Sequence, residues 1–293
     1  ECEKILAIPN IQKYPIELTK AYGTMGIVYE ELSQRKQRSE NYEKAIESYK
    51  KALKYVDKKS NPNSFWELTF NLTQAELSSD HNDKEGIKKI MSYLENFSTD
   101  KVGFPYQYLM IKINLARAYQ KLYKQTNALD DALRARDEFN NSILNDNFLK
   151  EKYPDVFATA QAEQAAVYLE IGKKTKEKTD FDKALLLIEE SNKSELIRDS
   201  SFFQAQNIST EADIYVALDT QLNLLKAKDL YTQAIETYKF NDRKEYPYQY
   251  IDTKNARGRV YERLYFFDST NDSYIDKAKE DFRDAKSVAM EQK

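Results

Sequence analysis

Glycine and proline are scarce in this chain, six of each in 293 residues. So little turn chemistry cannot supply the bends of a multi-stranded sheet, whereas long helices tolerate it well. The single cysteine, Cys2, excludes an internal disulfide framework and fits a reducing compartment, so a cytoplasmic location is expected. A single histidine, His81, leaves the usual nucleophile–base pairs with few candidates. There is no glycine-rich phosphate loop and no apolar run long enough to span a bilayer. Charge of one sign is missing too: 45 basic against 48 acidic residues gives a formal charge of −3. Nothing in that balance attracts a phosphate backbone, and neither nucleic acid nor membrane is expected as a partner.

The few prolines are regularly placed. Pro15, Pro62, Pro105, Pro154 and Pro247 are separated by 47, 43, 49 and 93 residues, the last close to two intervals. Four follow an aromatic residue: Tyr14, Phe104, Tyr153 and Tyr246. Proline fixes φ, lacks an N–H and keeps its predecessor out of the helical region, so it belongs in a first helical turn. A regular proline therefore predicts a regular helix start, with one silent beat near Phe202 and Phe203. Self-similarity at this interval is the mark of a solenoid.

Each start is followed by a small residue with a tyrosine three places on: Gly26/Tyr29, Ala116/Tyr119, Ala165/Tyr168, Ala212/Tyr215 and Gly258/Tyr261. That spacing places the pair on one helix face, where the small residue admits a neighbouring backbone and the tyrosine fills the space beside it. A second amphipathic run follows, with alanine and aromatic residues at offsets of four and three: Ala45, Tyr49, Ala52; Ala227, Tyr231, Ala234; Ala278, Phe282, Ala285.

The order Tyr22, Met25, Gly26, Tyr29, then Ala45, Tyr49, Ala52, resembles the tetratricopeptide repeat (TPR). The resemblance runs from about Tyr14 to Lys293. It is clear in the first and last repeats, partial around Ala132, Arg136 and Phe139 and around Ala184 and Ile188, and degenerate from Pro62 to Gly103. It implies an all-α right-handed superhelix of about six helix-turn-helix repeats, 14–61, 62–103, 104–152, 153–200, 201–245 and 246–293, after a tail or linker at 1–13. The family's usual repeat is 34 residues. The surplus is expected in longer helices and longer loops between the helices of a pair, because the small residue and the following alanine are 15 to 20 apart. The polar segments 33–41 and 172–180 are expected to prolong the first helix before its turn.

In that family the first helices line a concave groove. By position from the small residue, the face includes Asn71 and Gln74, then Asn114, Arg117 and Lys121, then Ser209 and Asp213, then Asn255, Arg259 and Arg263. Asparagine amides suit a peptide backbone and arginines suit carboxylates. The TPR subclass that clamps a terminal carboxylate uses first-helix positions that Gly23 and Ile27 occupy in this chain, which argues against that clamp. Alanine at both Asn114 and Arg117 is expected to weaken partner binding without changing helicity or melting.

Other chemistry is thinly represented. Asp80, His81 and Asp83 lack the spacing of a zinc site and fail the calcium-loop pattern at Lys84 and Gly86. The two PYQY copies, with Tyr106, Tyr108, Tyr248 and Tyr250, suit either a partner surface or inter-repeat packing. The expected function is a non-catalytic scaffold or regulatory module that binds a protein or peptide in the groove, without metal or cofactor. The alternative is a peptide- or ligand-sensing domain of a larger bacterial regulator. The chain opens on Glu1 and shows no solvated capping helix at either end. It is therefore expected to be part of a longer protein.

Overall fold

Every regular proline occupies the first turn of a helix. The computed structural model describes residues 2–79, 83–96, 103–240 and 246–292, and among them every regular element is helical. α1 (Cys2–Leu6) and a short 3-10 turn at Ile11–Lys13 precede α2 (Pro15–Arg35) and α3 (Arg38–Leu53). α4 (Pro62–Ser78), α5 (Lys84–Glu95) and α6 (Pro105–Thr126) follow. Then come α7 (Leu129–Glu138), a π-helical stretch at Phe139–Leu144, α8 (Asn147–Lys152), α9 (Pro154–Thr175) and α10 (Lys178–Ser191). The last elements are α11 (Glu195–Asp199), α12 (Ser201–Leu218), α13 (Gln221–Phe240), α14 (Pro247–Phe267) and α15 (Ser273–Glu291).

The residue before each proline repeats one backbone state: Tyr14, Asn61, Phe104, Tyr153 and Tyr246 have φ between −119° and −137° and ψ between 58° and 74°. The silent beat is also a helix start. There Ser200 takes over, its hydroxyl accepting from the Phe203 amide at 3.4 Å, so a side-chain cap replaces the proline.

The surplus length lies elsewhere than expected. The first helices are long, as expected, and α2, α6 and α9 reach 21, 22 and 22 residues. The connections from α2 to α3, α9 to α10 and α12 to α13 are nevertheless only two residues long. Each turns on one residue in the left-handed region: Gln37 at φ 44°, Lys176 at 61°, Asp219 at 49°. A left-handed residue ends a helix and satisfies its last carbonyls within one step, as when the Lys176 amide donates to Gly172 O at 2.9 Å. The extra residues sit after the second helices, in segment 54–61, in the π-helical stretch with α8, and in α11.

The chain forms two compact units, Glu1–Ala128 and Leu129–Lys293. Their boundary falls inside the segment expected to be a third repeat. In the first unit α2 and α3 form a hairpin around Tyr42, Ala45, Tyr49 and Ala52, with Leu68, Leu72 and Ala75 of α4 completing the cluster. A second cluster joins α4, α5 and α6 through Trp66, Ile87, Leu94, Ile111 and Leu115. In the second unit α9–α10, α12–α13 and α14–α15 are hairpins.

The small residue is where a hairpin closes: a ring of the second helix stands nearest to it, and Tyr29, Tyr168 and Tyr261, three places on from Gly26, Ala165 and Gly258, pack in the same cores. A methyl at Gly26 would overlap the Tyr49 ring. At Gly172 it would stand 2.9 Å from Phe181, and at Gly258 2.6 Å from Phe282. Overpacking costs about 1–3 kcal/mol, against about 1 kcal/mol of helix propensity gained by removing glycine. Gly26→Ala should therefore lower unfolding free energy in urea by up to about 2 kcal/mol, and Tyr49→Leu should relieve most of that loss in the double variant. A neutral or stabilising Gly26→Ala would show that the contact is slack.

Candidate functional site

Side chains that cross between first helices meet groups 41 to 44 residues away, most often 44. Glu30 of α2 accepts from Gln74 Nε2 of α4 at 2.8 Å, 44 residues away. Asn114 Nδ2 of α6 donates to Phe70 O at 3.1 Å, and Lys121 Nζ donates to Leu77 O at 2.5 Å, both again 44 apart. In the second unit Ser209 lies 3.4 Å from Thr253, and Arg263 pairs with Asp219, at the same separation. The structural repeat between stacked helices is thus 44 residues, within the 43–49 spread of the proline intervals.

In the first unit these contacts form a polar ladder over α2, α4 and α6. Tyr49 donates its hydroxyl to Glu30 Oε2 at 3.0 Å. Gln74 bridges from Glu30 to Arg117, whose Nη1 lies 3.3 Å from Gln74 Oε1 and 3.1 Å from Asn114 Oδ1. Burial raises the Glu30 carboxyl above its ordinary 4.5, opposed by hydrogen bonds from Tyr49 and Gln74 and by the charge of Arg117. The same device recurs in the second unit, where Tyr231 of α13 donates to Asp213 of α12. Burial likewise raises Asp213, opposed first by the Tyr231 bond.

Beside the ladder lies a cleft of about 400 Å³. Arg38 opens α3 on one side, and Arg117, Lys121 and Lys124 line the other from α6. Gln74, Leu77 and Ser78 of α4 and Gln120 of α6 complete the lining. Of these described residues four are cationic and none is acidic. In the second unit a cleft of about 290 Å³ is lined mainly by α9, α12 and α14, with Glu163, Ser209 and Asp252 among its residues.

The expected partner-binding residues thus divide. Arg117 and Lys121 reach the basic cleft together with Gln74. Asn114 does not line it: the residue is fully buried, and its amide donates to Phe70 O and, at 2.9 Å, to Thr73 Oγ1. Alanine at Asn114 therefore cannot leave melting unchanged, contrary to the expectation. Lys121 also caps α4 by donating to Leu77 O and to Ser79 O, both at 2.5 Å, placing a cation on a helix C-terminus. Asn71 belongs to a smaller cleft of about 170 Å³ with Thr19, Gly23 and Leu68. Asn255 is half-buried, Arg259 is exposed, and Arg263 is engaged with Asp219.

Asp83 serves as the N-cap of α5, accepting from the Gly86 amide at 2.8 Å, while Asp80 and His81 lie outside the described residues. Among the described residues no three His, Cys, Asp or Glu side chains gather as a metal site would require. No helix among them is long and apolar enough to cross a membrane. The PYQY copies diverge: Tyr250 is fully buried and donates to Asp284 at 2.6 Å where Tyr108 is half-buried, and Tyr106 is exposed where Tyr248 is half-buried.

One cluster escaped the sequence reading. Lys254 and Arg257 of α14 face Asp281 and Asp284 of α15, and Asp281 is 2% exposed. Lys254 Nζ lies 3.1 Å from Asp281 and 2.9 Å from Asp284, and Arg257 holds both Asp281 oxygens at 2.6 and 2.8 Å. Two cations and two carboxylates, each pair three residues apart, were the available signal. The Lys121–Lys124 spacing likewise signals one helix face, but nothing in the sequence assigns Arg38 to it.

Comparison with known protein families, and with curated proteins, finds no match.

Two outcomes check this geometry. Asn114→Ala should cost about 1–3 kcal/mol in urea unfolding, since it removes a buried amide that bonds Phe70 O and Thr73 Oγ1; an unchanged midpoint would contradict the burial. Glu30 keeps its proton to higher pH in the folded chain than in the unfolded one, so its ionisation weakens the fold as pH rises through the folded value. Glu30→Gln should therefore gain stability relative to wild type as pH rises above about 4.5, the ordinary value of the carboxyl. A difference that is flat or reversed over that range would show that the hydrogen bonds outweigh burial.

Proposed function

We propose that the chain is a non-catalytic protein-interaction module, a TPR-like right-handed α–α superhelix that binds a peptide or partner domain along its first helices. One observation carries this reading: in each unit the cleft is lined mainly by consecutive first helices, held side by side at the 44-residue offset. A repeated helix face of this kind offers a row of equivalent positions, which suits an extended guest better than a single small molecule. The residues that hold the helices in register, Asn114 and Lys121 among them, act as scaffold. Contact with the guest falls to their neighbours, Gln74, Arg117, Gln120 and Lys124, and in the second unit to Glu163, Gln206 and Asp252, whereas Asn255 and Arg259 line neither cleft.

The scaffold is rigid where recognition needs it to be. In α2, α9 and α14 an aromatic ring of the second helix is seated on a glycine, and in the first unit polar bonds tie α2 to α4 and α4 to α6. Such preorganisation lowers the entropy cost of ordering a guest.

Selection of displayed random peptides on the intact chain, followed by hydrogen exchange of the complex, tests the proposal. Bound peptides should protect amides in α4 and α6, or in α9, α12 and α14. Protection confined to the second helices, or a selection that yields no binder, would reject it.

A further inference from the structure

A further cleft lies at the open end of the α9–α10 hairpin, away from the first-helix faces. We propose that it binds a small zwitterion of amino-acid chemistry: one ammonium, one carboxylate and an apolar body, as in a free amino acid or a very short peptide. The cleft exists because the two helices differ in length, 22 residues in α9 against 14 in α10. Ala158, Gln161, Ala165, Tyr168 and Gly172 form one helical stripe on α9. Phe181, Ala184 and Ile188 of α10 pack with Ala165 and Tyr168 in one core. α10 ends at Ser191, whose hydroxyl donates to Ala158 O at 2.7 Å, so the start of α9 runs on past its partner. α8 and the segment after α10 flank that overhang. They leave a cleft of about 660 Å³, a size that holds a small ligand.

Three faces meet there, each at helical spacing. α9 supplies the floor with Pro154, Phe157, Ala158 and Gln161. α8 supplies Asn147, Lys150 and Glu151 as one wall, and Glu190, Lys193 and Ser194 form the other. Each wall carries one lysine and one glutamate, so the lining is neutral overall. A compact anion would meet two carboxylates and a polyamine two ammonium groups, whereas a ligand of both signs is attracted by both walls. The walls are held in place: Ser194 donates to Asp155 at 3.1 Å, and Leu149, fully buried, anchors α8. The bonds at Ala158 and Asp155 run the second wall antiparallel to α9, which puts Glu190 toward the Gln161 end, where Lys193 pairs with it. Lys150 stands four residues before Pro154, at the opposite end. The guest carboxylate thus falls to Lys150 and the Asn147 amide, its ammonium to Glu190, and its apolar body to the floor. From Pro154 to Gln161 the floor is about 10 Å long, the reach of about three residues of extended peptide.

Isothermal titration of the full chain tests the proposal, with the tripeptide Ala-Leu-Ala, both ends free, and free leucine as probes. At least one probe should bind saturably, and blocking either its amine by acetylation or its carboxylate by amidation should weaken binding about tenfold or more. Lys150→Gln should lower affinity about as much, and amidation should then cost nothing further. Glu190→Gln should remove the effect of acetylation in the same way. Both side chains reach solvent, and circular dichroism should show an unchanged fold. Lys124→Gln, on an exposed residue of the first unit, should leave affinity as it is. Tighter binding of the tripeptide would assign the site to short peptides, and tighter binding of leucine to the amino acid itself. Equal binding of a probe blocked at both ends, or indifference to both Lys150→Gln and Glu190→Gln, would overturn the proposal. So would displacement by inorganic phosphate or spermidine, or the lack of saturable binding by either probe at millimolar concentration. Guest binding along the first helices stands or falls separately.

Discussion

Gly26 has no side chain, and the Tyr49 ring occupies the place where one would stand. Gly172 with Phe181 and Gly258 with Phe282 repeat the arrangement. Seating a ring directly on a helix backbone brings the two helices of a hairpin to their closest separation, and it fixes their rotation about their own axes. Both consequences matter further out. The rotation decides which residues of the first helix turn away from the second, and therefore which can meet the next first helix. It also carries the Tyr49 hydroxyl to Glu30, so the apolar seat and the polar ladder share one side chain.

From that seat the rest of the first unit can be followed. Glu30 reaches Gln74, Gln74 reaches Arg117, and Arg117 stands over Asn114, whose amide is committed to α4. Polar residues on these faces hold register, since a hydrogen bond to a carbonyl 44 residues away is satisfied only at one stagger. Close-packed apolar surfaces tolerate small slips, whereas buried amides do not. The second unit replaces part of this ladder with the Lys254–Arg257–Asp281–Asp284 cluster, which locks α14 to α15. A paired cluster of this kind contributes little net stability but penalises any arrangement that separates its members.

Much of the local structure was legible in the chain itself. The five prolines name five helix starts, because proline's missing N–H and fixed φ leave few other places for it. The alanine–aromatic stripes name the second helices for the same kind of reason. Loop lengths were misread because the sequence does not mark its tight turns with glycine. Gln37, Lys176 and Asp219 take the left-handed conformation, and only the last has a side chain usual there. Without that cue, polar residues next to a helix end look like a long loop.

Sequence alone, then, determined where the proline-led first helices begin, which runs form the second helices of the clear repeats and which stripe of those is buried. All of these follow from backbone chemistry and periodicity within one helix. Tertiary structure alone decided what the polar residues do. Asn114, Arg117 and Lys121 share one face of α6, yet one is buried as a strut, one bridges, and one caps a neighbouring helix. Their roles depend on groups about 44 residues away, and Arg38 joins the same cleft from another helix altogether. A polar side chain carries no mark of its partner in its own sequence neighbourhood, because hydrogen bonds and charge pairs are chosen by distance in space.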